Sequence, residues 1–438
     1  MVDQFEIERS RSGQSLSVSD GDARLSGLRE FVVAEIARVC ANRRYQNTLG
    51  CNRAEVVFPL APDPLTGYFV SGCKSDCRLG LELEHFIVER GSKKAVPYAG
   101  DAGVGAVLRE LAAEFPQAVL GQEPLLGFAT PEFSVSLEPA SQLEISVVPL
   151  ATVGEVERVY AAFRARLDGV LAKHGYEAVR CGYQPASRAG ELPLIPKRRY
   201  ELMDAYFRTS GTRGVYMMRG TASTQVSVDF RDETDFRRKM QAACFLSPYL
   251  ALLTDNVPVF EGAPNEMRLR RSWVWEDVDA RRCGIVPGVM RDDFGFADYA
   301  AYLRTVPPIF VPADCAADSV QMLEHLVSIV FPAVRLKRYL EIRPADSMDP
   351  DRVFAYLALL KGLLYNEGFL DQVQSEKHER RIDGEAIRTA ARTLARDGWN
   401  ALLYGRTVGE WHETFLQTAK DRLTERERDY LKPFEVRK

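Results

Sequence analysis

An α+β fold is predicted by three features of the 438-residue sequence. Short segments alternate polar and apolar residues, longer segments repeat apolar residues every three or four positions, and roughly the last hundred residues carry a mostly helical pattern. Residues 1–22, rich in Ser, Asp, Arg and Gly, read as a mobile lead-in to a single domain over 23–438. Leu28, Phe31, Val32, Ile36 and Val39 then share one helix face. Leu81-Glu82-Leu83-Glu84 reads as a strand that points both carboxylates to one side. Gly100-Asp-Ala-Gly103-Val-Gly105 has its glycines in the wrong order for a dinucleotide fingerprint and reads as a turn before a helix. Gln142, Glu144 and Ser146 form the polar face of the next strand, and Thr152 is placed to cap a helix carrying Val156, Val159, Tyr160, Phe163, Leu167, Val170 and Leu171. Thr221, Ser223, Gln225, Ser227 and Asp229 alternate with neighbours that end in Val226, Val228 and Phe230. Arg335, Lys337, Tyr339, Glu341 and Arg343 share one side of a strand whose other side carries Leu336, Leu340 and Ile342. Further helices are predicted over 234–254, 316–330, 350–366, 384–397 and 408–422.

Composition removes several classes of function. With 57 Lys+Arg against 61 Asp+Glu the formal net charge is −4, so no basic excess is available to release counterions from a nucleic acid. A 46% hydrophobic, 27% charged composition is ordinary for a soluble globular protein. The longest apolar run, Val353 to Leu360, falls short of the about 20 residues a membrane span needs. The N-terminus has early acids and no apolar core of a secretory signal, so a cytoplasmic protein is expected. The eight cysteines are scattered through a chain that does not need staples, and free buried thiols are expected. Cys73-x-x-x-Cys77 lacks a second pair at zinc spacing, and neither an H-E-x-x-H, a G-x-S-x-G nor a phosphate-binding P-loop is present.

Taken singly, each alternating segment fits an antiparallel strand with a wet outer face. The choice of residues points further. Two of the faces offer Glu and Gln with no base nearby, and clustered anions are unfavourable unless something positive joins them. Mg²⁺ takes oxygen ligands and commonly sits between one or two carboxylates and the phosphates of a substrate. Three carboxylate strands beside one Arg/Lys strand would make such a nucleotide site.

The ordered blocks Gly80-Leu-Glu-Leu-Glu-His-Phe86, Ser136-Leu-Glu-Pro-Ala-Ser-Gln-Leu-Glu-Ile-Ser146, Pro196-Lys-Arg-Arg-Tyr200, Met217-Met218, Thr221 to Phe230, Arg271-x-x-x-Trp275, Val334 to Arg343 and Gly362-Leu-Leu-Tyr-Asn-Glu367 resemble the glutamate–cysteine ligase family of plants and many bacteria, and the related ligase of ergothioneine synthesis. The resemblance implies a glutamine-synthetase-like fold, in which a curved, mostly antiparallel sheet holds the site on its concave face and helices cover the outside. It also implies ATP-dependent phosphorylation of the L-glutamate side chain, followed by attack of the L-cysteine amine. The products would be γ-glutamylcysteine, for glutathione-type thiol synthesis, with ADP and phosphate. ATP and Mg²⁺, with Mn²⁺ as a substitute, are the implied cofactors, and small molecules rather than nucleic acid or membrane are the partners.

Matched position by position, Glu82, Glu84, Glu144 and Glu341 fall on the family's metal-holding carboxylates. Gln225, Arg335 and Arg343 fall beside them as nucleotide contacts, with Arg343 and Lys337 placed to stabilise the transferred phosphoryl group. Arg271 is suited to a bidentate grip on an amino-acid carboxylate and Trp275 to walling the acceptor pocket. Arg199, Tyr200, Met218, Thr221, Asn256 and Arg282 follow as further substrate contacts. The sequence departs from the plant pattern at Leu81, His85, Gly220 and Ser227, and reads Pro308-Ile309-Phe310 where a tyrosine stands on the acceptor side. A different amine acceptor, or a binding protein that kept the fold without turnover, are the alternatives.

Overall fold

A computed structural model describes residues 63–312, 316 and 319–435. The expected lead-in, the helix over Leu28–Val39, and Cys40, Cys51 and Cys315 lie outside the described residues. The compact unit begins at Asp63.

Among the described residues nine strands form one sheet. They are β1 (Leu79–Glu89), β2 (Val119–Leu120), β3 (Gly127–Ala129), β4 (Phe133–Leu137), β5 (Leu143–Leu150), β6 (Tyr176–Val179), β7 (Thr224–Val228), β8 (Val334–Leu336) and β9 (Leu340–Ile342). Their order is β8-β9-β7-β1-β5-β4-β3-β2, with β6 pairing the end of β1, and every pairing is antiparallel. β1 is central because Leu81, Leu83, Ile87 and their alternating neighbours can be buried on both sides, and all are buried except half-buried Glu84 and the exposed terminal Glu89. The register slips at Leu79–Leu81 against β5, where Gly80 allows the irregularity.

One face of the sheet carries Leu81, Leu83, Ile145, Val147, Val226, Val228, Leu340 and Ile342, all inaccessible to solvent or nearly so. Helices α1 (Val153–Lys173), α2 (Glu233–Leu253) and α3 (Pro350–Leu364) pack on this sheet, and α4 (Val408–Arg422) packs on α3. The Thr152 cap forms as a full capping box, its hydroxyl accepting the Glu155 N–H while Glu155 returns to the Thr152 N–H. His85 belongs to this apolar side: its ring bridges the Leu143 carbonyl at 3.1 Å and the Tyr160 hydroxyl at 3.0 Å, and burial drives its pKa down to about 3.

Several expectations change in detail. The expected wet faces are buried, since Glu82, Glu144, Gln225, Ser227 and Glu341 are all less than one-tenth exposed. The strand over 221–229 shortens to Thr224–Val228, because Thr221 and Ser223 leave β7 to bridge Tyr183 and Asp346. The single strand over 335–343 is a hairpin, β8 and β9, with Lys337 to Tyr339 as its turn. The helix over 316–330 contracts to Val320–Ser328, capped by Ser319. Among the described cysteines all are free, Cys181 and Cys244 buried as expected but Cys77 exposed. Among the described residues no single helix is long and apolar enough to cross a membrane.

Candidate active site

The polar face of the sheet is built in rungs. Residues directly opposed on adjacent strands share a face and approach closely. Along one rung Glu84 opposes Glu144, and Glu144 opposes Ser136. On the next polar rung Gln225 opposes Glu82, and Glu82 opposes Ser146. On the third Arg335 opposes Glu341, and Glu341 opposes Ser227. Where that rung reaches β1 it meets Gly80, so no side chain fills the space beside Ser227. The alternation read along the sequence therefore converges, across six strands, on one polar surface.

Its two ends differ in charge. At the hairpin end Glu341, 0% exposed, is held by Arg335 at 2.7 Å, Lys337 at 2.8 Å and Arg343 at 2.8 Å. Burial is the largest influence on its carboxyl and works upward, but the three cations together hold it well below the ordinary range. Arg343 also donates to Gln225 Oε1, and Gln225 Nε2 donates to Glu84 Oε1 at 3.3 Å, so a hydrogen-bonded chain runs from β9 through β7 to β1. Hairpin formation does not disturb the parity: Arg335, Glu341 and Arg343 still share a face, and Lys337 reaches it from the turn.

At the other end negative charge accumulates. Burial pushes Glu84 up to about 7, with Glu138 adding to it and Arg271 and the Ser223 hydrogen bonds opposing. Glu144 is raised well above the usual range by burial and then by Glu82, Glu138 and Glu84. Glu82 is raised by burial, with Lys337 opposing and Glu341 adding. Neutral donors hold these carboxylates: Ser223 N–H and Oγ reach Glu84 at 2.7 and 3.1 Å, and Ser136 and Ser146 both reach Glu144 at 3.4 Å. Among the described residues no three such ligands close into a metal cage. The donors are all oxygen and remain short of positive charge, which suits a hard divalent cation completed by a ligand's own oxygens.

Arg271 and Trp275 stand beside this surface on the helix Arg270–Glu276. The Trp275 ring lies 6.0 Å from the guanidinium centres of both Arg271 and Arg343, and its Nε1 is buried without a hydrogen-bond partner among the described residues. Tyr200 is buried near Glu138, its hydroxyl 3.4 Å from the Leu137 carbonyl and raised by burial and by that carboxylate. Met218 and Thr221 contribute through their backbones, both carbonyls accepting Gln142 Nε2, while the Thr221 hydroxyl turns to Met217. Arg199 donates to the Ser328 carbonyl at 3.0 Å and lies 5.8 Å from the Phe310 ring.

Two of the expected substrate contacts make hydrogen bonds within the protein. Arg282 is 0% exposed and donates to the Ile329 and Pro307 carbonyls and to the Asp279 and Tyr206 side chains. Asn256 spends its amide on the carbonyls of Arg180 and Ser347. Glu138 is the carboxylate that the sequence reading passed over. It lies one residue beyond β4, in phase with Ser134 and Ser136, and the signal for it was the continuation of that alternation past the strand end. Gly220, a departure from the plant pattern, is dictated by packing: a Cβ there would fall 2.4 Å from the Tyr183 ring.

With this geometry in hand, comparison with known proteins is informative. The sequence profile of glutamate-cysteine ligase family 2 matches residues 78–437. A chloroplastic glutamate–cysteine ligase of Solanum lycopersicum is 34% identical over 341 residues, covering 72% of this chain and 65% of the relative. Glutamate–cysteine ligase A of Oryza sativa subsp. indica, also chloroplastic, is 31% identical over 400 residues, covering 84% and 79%. The chain thus spans just under two thirds of the length of the tomato relative it matches. Among solved structures, a glutamate–cysteine ligase from Francisella tularensis in complex with AMP superposes with a TM-score of 0.50 at 11% identity, over 83% of this chain and 82% of that one, and supports the expected fold. The expectation of a cytoplasmic protein is corrected, since these plant relatives are chloroplastic.

Proposed function

The chain belongs to glutamate–cysteine ligase family 2, and from that premise we propose that it joins the γ-carboxylate of L-glutamate to the amine of L-cysteine at the expense of ATP, forming γ-glutamylcysteine. The observation that carries this reading is the split polar face, with carboxylates Glu82, Glu84, Glu138 and Glu144 at one end and Arg335, Lys337 and Arg343 at the other. A carboxylate does not react with an amine at useful rates because its oxygen leaves poorly. Transfer of the terminal phosphoryl group to the γ-carboxylate supplies a leaving group, and the amine then displaces phosphate.

Each end of the face suits one part of that chemistry. Arg343 and Lys337 present cationic donors to the phosphoryl group in flight, where developing charge is best stabilised by preorganised groups in a buried site. Arg335, fixed by Glu341 and by the Val330 carbonyl at 3.0 Å, and Gln225 orient the nucleotide from the strands beneath. Glu82, Glu84, Glu144 and Glu138, with Glu341 at the hairpin side, are the oxygens that would hold Mg²⁺ or Mn²⁺. When bound, the cation neutralises the triphosphate and draws charge from its terminal group. Arg271 holds an amino-acid carboxylate, Trp275 walls the pocket beside it, and Arg199, Tyr200, Met218 and Thr221 line its approach.

The test is ADP release by the purified full chain with ATP, MgCl₂ and L-glutamate, comparing L-cysteine with a panel of other amino acids and amines. Stimulation by cysteine with γ-glutamylcysteine identified by mass is the expected result. Preference for another amine would reassign the acceptor, with Ile309 the first position to exchange, and no ADP under any condition would remove the ligase reading.

A further inference from the structure

Where β1 runs past the start of β7, a backbone hydrogen bond is given up to a side chain. In an antiparallel ladder the two residues of a hydrogen-bonded pair exchange both of their N–H···O bonds. Beyond the pair Leu83–Thr224 the next opposed residues are Glu84 and Ser223, and one bond forms, the Glu84 N–H donating to the Ser223 carbonyl at 3.1 Å. The return bond does not reach the Glu84 carbonyl. Instead the Ser223 N–H turns to Glu84 Oε2 at 2.7 Å, and that carbonyl accepts the Ser347 hydroxyl at 2.6 Å. Ser347 is 0% exposed and is anchored by its own N–H, which donates to the Ala222 carbonyl at 3.1 Å.

The other carboxylate oxygen is held by a relay whose polarity is set at its far end. A guanidinium can only donate, so Arg343 turns the Gln225 amide with Oε1 toward itself and Nε2 toward β1. Nε2 then donates to the Ser223 hydroxyl at 3.2 Å and to Glu84 Oε1 at 3.3 Å. Accepting from Gln225, the Ser223 hydroxyl delivers its single proton to Glu84 Oε1 at 3.1 Å. Ser223 therefore grips both oxygens of one carboxylate, and at 2% exposure its donors meet little competition from water. All the donors in this clamp are uncharged, so they fix the plane of the carboxylate without neutralising it, and Oε2, with one of them, keeps a lone pair to offer a cation.

We propose that Ser223 is a positioning residue that clamps the Glu84 carboxylate in the orientation a divalent cation needs, with Gln225 and Arg343 fixing the direction of its hydroxyl. This rests on the cation site of the ligase reading. The test is Mn²⁺ binding to the full chain without nucleotide or amino acids, read from the electron paramagnetic resonance signal of free Mn²⁺. Ser223→Ala removes the hydroxyl and keeps the N–H, and is expected to raise the Mn²⁺ Kd about 10-fold. Gln225→Leu leaves the hydroxyl free to turn away and is also expected to raise the Kd. In the Ser223→Ala background it is expected to add less than it does alone, because both residues act on one carboxylate. A Kd unchanged by Ser223→Ala, or two fully additive losses, overturns the proposal. Should Ser223→Ala fail to fold, Gln225→Leu is read alone, a raised Kd supporting and an unchanged Kd overturning. A wild-type chain that binds no Mn²⁺ overturns the proposal together with the cation site, whereas one that binds Mn²⁺ but releases no ADP removes the ligase reading and leaves the clamp to the same comparison of Kd values.

Discussion

Glu341 and Glu84 lie on one face, yet their surroundings set opposite expectations for the same substitution. Glu341 is the shared anion of Arg335, Lys337 and Arg343, so Glu341→Gln leaves three buried cations undercompensated and is expected to lower stability by about 3 kcal/mol as well as abolish turnover. Glu84 stands among other carboxylates, and Glu84→Gln relieves repulsion, so the protein is expected to lose activity while its urea midpoint stays level or rises. Near-wild-type turnover of either variant at millimolar MgCl₂ would sink the assignment of that residue. Strand parity made Glu82 and Glu84 legible as a pair from sequence alone. It could not tell which carboxylates find cations, because those cations arrive from a hairpin more than two hundred residues away in the chain.

At the scale of elements, the helices were the most legible part. The limits expected for 350–366, 384–397 and 408–422 lie within a few residues of Pro350–Leu364, Gly384–Asp397 and Val408–Arg422, since apolar periodicity and caps such as Thr407 are local signals. Packing between them was not legible. Gly362 sits where α3 meets α4, and a Cβ there would fall 2.6 Å from the Ala419 Cα and Cβ. Helix propensity favours Gly→Ala by about 1 kcal/mol, but the crowded atoms are backbone and Cβ and cannot swing aside. Gly362→Ala is therefore expected to destabilise by about 1–3 kcal/mol, measured as a lowered urea midpoint, and a stabilised variant would show that α4 moves freely on α3. The β8–β9 turn escaped sequence reading for a related reason: residues 335–343 keep their alternation straight through it.

For the molecule as a whole, the buried carboxylates make stability depend on pH. The ordinary carboxyl value is 4.5 and Glu84 in the fold is raised to about 7, so between these values the folded state holds a proton that the unfolded state has released. The unfolded state then binds fewer protons, and stability falls as pH rises through that window. Glu82 and Glu144 are raised too and act in the same sense, whereas Glu341, held low, contributes stability that is lost only as pH falls below the ordinary carboxyl value. Without added divalent cation the thermal midpoint is expected to decline between about pH 5 and about pH 7.5, and MgCl₂ is expected to reverse the decline by binding the ionised carboxylates. A midpoint that rises with pH and ignores MgCl₂ would contradict both the charge imbalance and the cation site.

The sequence by itself determined the strand faces, the helices and their caps, and the family to which the ordered blocks belong, because periodicity and motif order are written in adjacent residues. Tertiary structure decided what lies across from what. Only folding brought Glu138, just past the end of β4, close enough to act on Glu84 and Glu144. It also gave Arg282 and Asn256 internal cross-links, among them backbone carbonyls brought near by folding. Backbone acceptors carry no residue identity, so which polar side chain they capture is settled by geometry rather than by pattern.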